Sequence, residues 1–174
     1  AISTDLINWT QLVDALTPSE SPAFDSWTTW TGSVVHDQAA GLWRMFYTGT
    51  SREDAGERQT VGMATSVDLL TWQKQPGNPV AAADPRWYQT LAAGFTNEPF
   101  RDPWVFKLPG QQEWTMLTTA AAFRRGSRLR AAIAASEAPG NYPGFPDSSM
   151  LRLHCRRSLV QSNRRAAAMR VRLR

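Results

Sequence analysis

The chain has 174 residues, 42% of them hydrophobic and 8 of them Trp, which is enough for one domain with a packed core. The net charge of +4 combines two unlike parts: residues 1–123 carry 7 basic and 13 acidic side chains, whereas residues 124–174 carry 12 Arg and 2 acidic side chains. The single Cys155 excludes an internal disulfide, the 2 distant histidines give no metal-ligand spacing, and no apolar run is long enough to span a bilayer, so we expect no membrane partner.

A short signature near the start of the chain occurs twice. Ser3-Thr4-Asp5-Leu6-Ile7-Asn8-Trp9 returns as Ser66-Val67-Asp68-Leu69-Leu70-Thr71-Trp72, with Ser, Asp, Leu and Trp matching at an offset of 63. Ser and Asp typically cap the backbone of turns, and Leu and Trp typically pack against other apolar groups. We therefore interpret the signature as structural, with its carboxylate capping the turn and its apolar side chains packing between neighbouring sheets.

Two predicted hairpins are also related, at an offset of 71. Residues 34–48 contain two strands around Gly41, and residues 105–119 contain two strands around Gly110; in each hairpin the second strand begins with Trp. The strands are short and rich in β-branched and aromatic residues. With the following strand at 61–65, this is a four-stranded antiparallel unit repeated every sixty to seventy residues, which is typical of a β-propeller blade. The prediction is an all-β propeller with about two to three blades present.

Two long loops, 10–29 and 73–99, each lead to the first strand of a unit, and such loops on a rigid scaffold commonly carry function. The second loop ends at Phe100-Arg101-Asp102-Pro103, where a guanidinium and a carboxylate stand at the mouth of a strand. This charged pair suits the binding of sugar hydroxyls. The alternative is a structural Arg-Asp pair that caps a turn.

Three stretches resemble glycoside hydrolase family 32, the group of invertases, levanases and inulinases. Residues 1–9 are similar to the segment that ends the family's first blade. Trp30-Thr31-Gly32-Ser33 resembles the Phe/Trp-Ser-Gly-Ser motif, with Thr31 in place of Ser, and Arg101-Asp102-Pro103 matches the Arg-Asp-Pro motif. The resemblance covers about residues 1–123. It implies that they form part of a five-bladed propeller catalytic domain, from the end of blade one to the start of blade three.

The family resemblance implies hydrolysis of β-fructofuranosides such as sucrose, levan or inulin by a retaining mechanism, with no cofactor and a carbohydrate as the partner. By the same resemblance, Asp102 binds adjacent sugar hydroxyls and stabilises the transition state, while Arg101, Trp30 and Ser33 bind substrate in the same pocket. A carboxylate that accepts two hydroxyl hydrogen bonds makes strong charge-assisted contacts. Trp30 fits either a pocket wall or a core position.

The sequence departs from the family at both bond-breaking groups. The Trp-x-Asn-Asp-Pro stretch that holds the family's nucleophile has no counterpart, and Glu137 does not match the motif of the acid/base Glu. We expect that the chain is cut at its N-terminus, begins after the nucleophile, and does not itself hydrolyse a glycoside at an appreciable rate. The alternatives are a related propeller glycosidase acting on arabinosides or xylosides, and a sugar-binding propeller without catalysis.

The Arg-rich segment 124–174 lacks Trp and loses the repeat pattern. We interpret it as a degenerate tail, from a shifted reading frame or a disordered end. Because no aromatic residues alternate with its Arg residues to stack on bases, we do not expect a nucleic-acid partner.

Overall fold

The computed structural model describes residues 1–110, 113–121, 131–133, 151–155 and 168–173, with side chains described for the first two ranges only. The strands in these residues are β1 (Thr28–Asp37), β2 (Leu42–Thr50), β3 (Gln59–Ser66), β4 (Gln73–Lys74), β5 (Phe100–Lys107), β6 (Trp114–Ala121), β7 (Ala131–Ile133), β8 (Leu151–Cys155) and β9 (Ala168–Leu173). The one helical element among them is a 3₁₀ turn, Leu91–Ala93. The all-β prediction is confirmed, while Glu137 and most of the predicted tail lie outside the described residues.

The first sheet has the strand order β1-β2-β3-β4, and every neighbouring pair is antiparallel. Sequential strands form this meander because each connection contains a residue of positive φ that permits reversal of the chain, Gly41, Gly56 or Leu69. Gly41, for example, closes the β1–β2 turn at a φ of 66°, a conformation that glycine adopts without a Cβ clash. The predicted first hairpin and the strand that follows it are confirmed.

The second sheet begins with the predicted hairpin of β5 and β6. β7 pairs with β6 at Thr119–Ala121, β9 pairs with β6 at Trp114–Leu117, and β8 adds to β9. β7 thus adds a third antiparallel strand beside β6, with Ile133 opposite Thr119.

The core lies between the two sheets. Phe46, Val61 and Met63 of the first sheet cluster with Val105 and Met116 of the second. Each of these side chains is at most 3% exposed, and burial of one such side chain stabilises the fold by about 1.5–3 kcal/mol. The first strands of the two sheets, β1 and β5, lie side by side, and this contact places the two sequence motifs together.

The signature loops are only partly as predicted. Asp5 accepts hydrogen bonds from the N–H groups of Ile7 and Asn8, and Asp68 accepts them from Leu70 and Thr71, so the capping role is confirmed. The predicted packing of the apolar residues is wrong for both Leu residues and for Trp9, since Leu6 is 77%, Leu69 44% and Trp9 58% exposed. Each turn is held by hydrogen bonds from its own backbone N–H groups to the Asp side chain, and these bonds need no burial of the apolar side chains.

Candidate active site

Asp102 lies in an irregular part of β5. The pairing of β5 with β6 shifts register between Arg101 and Trp104, and Asp102 has a φ of 56°. This left-handed conformation is uncommon for a residue with a Cβ, and Asp is among the few that adopt it. Pro103 is buried, whereas the Asp102 side chain is 48% exposed. The bulge therefore directs the Asp102 carboxylate toward solvent, while the next residue, Pro103, stays in the core.

Three groups hold the exposed carboxyl residue in place. The Thr31 hydroxyl donates to Asp102 Oδ1 at 2.9 Å, and Arg101 Nε lies 3.5 Å from Oδ2. The backbone N–H of Asp102 donates to Thr48 Oγ1 at 2.9 Å. A residue with this rare φ destabilises the folded state by on the order of 1–3 kcal/mol. Such residues persist where neighbouring contacts hold them, and they are concentrated at functional sites.

Arg101 is fixed at both ends. Its carbonyl accepts a hydrogen bond from the Thr118 hydroxyl at 2.8 Å, and its Nη1 donates to Gln59 Oε1 at 3.1 Å. Gln59 is itself buried, and its N–H donates to the carbonyl of Glu98. The guanidinium is thus directed by both sheets and, with its side chain 39% exposed, keeps donors available to solvent.

The motif on β1 contains a second bulge. The register with β2 shifts between Trp30 and Gly32, which leaves Thr31 out of the regular pairing. A Cβ on Gly32 would lie 1.8 Å from the Phe46 carbonyl oxygen, so only glycine permits this approach of the two strands. Trp30, before the bulge, is 43% exposed and presents part of its indole to solvent.

Two hydroxyls of this motif have different surroundings. Ser33 Oγ accepts a hydrogen bond from the Val105 N–H at 2.9 Å and joins β1 to β5. Thr31, which the sequence analysis did not select, has the hydroxyl that contacts Asp102. A regular strand would direct residues 31 and 33 to one face, and the bulge separates them. Thr31, like Arg101, contacts the Asp102 carboxylate, whereas the Ser33 hydroxyl contacts the backbone N–H of Val105.

A buried ion pair supports the loop before β1. Asp25 is 1% exposed, accepts a hydrogen bond from the Tyr47 hydroxyl at 3.0 Å, and pairs with the Lys74 ammonium. Burial, followed by the Asp25 charge, raises the pKa of Tyr47 well above its ordinary range, so the phenol remains a donor. This cluster connects the loop to β2 and β4 and is separate from the exposed carboxylate.

The arrangement is suited to binding a polyol. Asp102 offers acceptor oxygens, and Arg101 offers donors. Trp30, which precedes the bulge at Thr31 on β1, is partly exposed and offers an apolar face. In the part of the chain whose side chains are described, no group of three or more His, Cys, Asp or Glu is arranged to hold a metal ion. The described helical segments include none that is long and apolar enough to cross a membrane.

Comparison with known proteins finds a family whose sequence pattern this chain shares. Residues 1–130 match the family model described as "Glycosyl hydrolases family 32 N-terminal domain". An insoluble isoenzyme of beta-fructofuranosidase from Arabidopsis thaliana is 33% identical over 132 residues, which cover 72% of this chain and 20% of that protein. A levanase from Bacillus sp. (strain L7) is 30% identical over 130 residues, which cover 68% of this chain and 13% of that protein. The chain spans about a fifth or less of the length of these two relatives.

Among solved structures, the exo-inulinase from Aspergillus awamori aligns with a TM-score of 0.43 and 22% sequence identity. That alignment covers 67% of this chain and 27% of the inulinase chain.

Proposed function

The chain belongs to glycoside hydrolase family 32, and on that premise we propose that the surface around Asp102 binds a β-fructofuranosyl unit. We take the two sheets to be blades of the predicted propeller, and the surface lies where their first strands meet. The observation that carries the proposal is the exposed Asp102 carboxylate, which Thr31 and Arg101 fix from two sides. A carboxylate with fixed orientation can accept two neighbouring hydroxyl groups without first being ordered.

Each residue has a proposed role. Asp102 accepts hydrogen bonds from adjacent sugar hydroxyls and strengthens them as the ring flattens toward the transition state. Arg101 donates to sugar oxygens, and Trp30 covers an apolar edge of the ring. Thr31 orients the carboxylate, and Ser33 remains a proposed substrate-binding residue whose oxygen also holds β5.

For the whole protein we propose hydrolysis of β-fructofuranosides of the sucrose, levan or inulin type. A retaining glycosidase needs a nucleophilic carboxylate and an acid/base carboxyl group about 5–5.5 Å apart. Asp102 takes neither role, since it stabilises the transition state by contacts with hydroxyl groups that do not react. The 174-residue chain should therefore bind the sugar without cleaving it.

The binding experiment uses saturation-transfer NMR with the 174-residue chain and sucrose. Sucrose should give transfer signals on its fructosyl protons that fructose competes away, and Asp102→Asn should reduce them about tenfold, the effect of losing charged hydrogen bonds. Maltose, which has no fructosyl unit, is the ligand control. Equal signals from the wild type and Asp102→Asn would refute the proposal, and preference for an arabinofuranoside or xyloside would reassign the sugar.

The turnover experiment incubates the same chain with sucrose, levan and inulin and measures released fructose. No release above a blank is expected. Release above the blank would contradict the proposal that this chain binds the sugar without cleaving it, because the chain would then contain its own bond-breaking carboxylates.

A further inference from the structure

Thr48 is a buried hydroxyl between the two bulges. It lies on β2 and is 0% exposed. Its Oγ1 accepts the N–H of Asp102 at 2.9 Å and donates to the carbonyl of Thr31 at 3.3 Å. A hydroxyl has one donor and two acceptor positions, so one side chain satisfies backbone groups of both β1 and β5.

These bonds close a ring of three residues. Thr48 holds the backbones of Thr31 and Asp102, and the Thr31 hydroxyl then joins the Asp102 carboxylate. The bond from the Asp102 N–H to Thr48 is made at the residue whose φ is 56°. The same hydroxyl therefore fixes the backbone conformation from which the carboxylate projects.

We propose that Thr48 is a positioning residue for Asp102, an inference that rests on the proposed binding of a fructosyl unit. Without its hydroxyl, the Asp102 N–H and the Thr31 carbonyl would lose their shared partner, and the left-handed backbone would lose the bond that offsets its cost. The carboxylate would then occupy several orientations, and sugar binding would require ordering it.

Thr50 provides a matched control on the same strand. It lies two residues further along β2, on the same face, and is 1% exposed. Its hydroxyl pairs with the Thr28 hydroxyl at 2.6 Å, so its replacement removes a buried hydrogen bond from the same sheet without involving Asp102. A general loss of packing would affect both positions, whereas a positioning role affects Thr48 alone.

The test compares Thr48→Val, Thr48→Ser and Thr50→Val with the wild type. Thr48→Val keeps the shape and removes the hydroxyl, and it should weaken sucrose binding about tenfold, as loss of a buried hydrogen bond implies. Thr48→Ser restores the hydroxyl and should retain affinity within about twofold. Thr50→Val should bind sucrose as the wild type does, although it also loses a buried hydrogen bond.

Hydrogen exchange of the Asp102 amide gives a readout independent of sugar. In Thr48→Val this amide should exchange about tenfold faster than in the wild type, whereas in Thr50→Val and Thr48→Ser its exchange rate should be unchanged. If the wild type binds no sucrose, the proposed function fails while fast exchange still supports the positioning contact. If Thr48→Val leaves both exchange and affinity unchanged, or Thr50→Val weakens affinity equally, the inference is overturned.

Discussion

The hydroxyl of Thr31 donates a hydrogen bond to the carboxylate of Asp102 at 2.9 Å, across 71 residues of sequence. That separation equals the offset between the two hairpins, so the two residues occupy matching positions in the first strands of the two sheets. Both lie at β-bulges, where regular pairing with the second strand is interrupted. The contact between Thr31 and Asp102 therefore depends on both sheets, and neither sheet contains it alone.

Replacing Asp102 by Gly or by Ala removes the same carboxylate but should affect stability differently. Glycine adopts a φ of 56° freely, whereas Ala retains the Cβ clash without the hydrogen bond from Thr31. We expect Asp102→Gly to be more stable than Asp102→Ala by about 1 kcal/mol. Urea unfolding of the two variants measures this difference, and equal midpoints would indicate that the conformation is not retained in solution.

A methyl group on Gly32 should separate β1 from β2. Its Cβ would meet the Phe46 carbonyl oxygen at 1.8 Å, and backbone cannot move aside as a flexible side chain can. Gly32→Ala should lower the free energy of unfolding by about 3 kcal/mol or more. Gly77→Ala is the control, because nothing lies within 4 Å of its Cβ. Similar thermal melting of the two variants would contradict the close approach.

For the buried pair of Asp25 and Lys74, replacing Lys74 alone should lower the free energy of unfolding more than replacing both residues. Lys74→Met leaves a carboxylate that is 1% exposed without its counter-charge, which should cost about 3 kcal/mol. The double variant Asp25→Asn with Lys74→Met should recover part of this loss, since a neutral amide needs no counter-charge. Lys107→Met, which removes an ammonium lying 4.5 Å from the Trp114 ring centroid, should cost only about 0.5–1 kcal/mol. Denaturant unfolding of the four proteins tests this order.

The signature turn should respond to acid. The backbone N–H of Thr71, then that of Leu70, lowers the pKa of Asp68 from 3.8 to about 2. Because the folded pKa is below the unfolded one, the stabilisation is present above about pH 3.8 and is lost as the pH falls toward 2. The amide proton shifts of Leu70 and Thr71 should therefore titrate with a midpoint near 2, and Asp68→Asn should abolish the change. A midpoint at 3.8 would contradict the capping geometry.

The sequence alone determined the features that depend on short-range patterns. Alternating and apolar runs around Gly41 and Gly110 predicted both hairpins, because strand periodicity and turn conformation are local properties. The capping by Asp5 and Asp68 was also predictable, since every acceptor and donor lies within three residues. The family followed from two short motifs on matching strands.

Only the tertiary structure decided which hydroxyl faces Asp102. A bulge adds one residue to a strand, interrupts the alternation of side chains and leaves no reliable mark in the sequence. Thr31 and Ser33 are thus equivalent in the sequence motif, yet one contacts the carboxylate and the other the backbone of β5. The role of Thr48 was equally hidden, because its partner Asp102 is 54 residues away and becomes a neighbour only when two blades pack together.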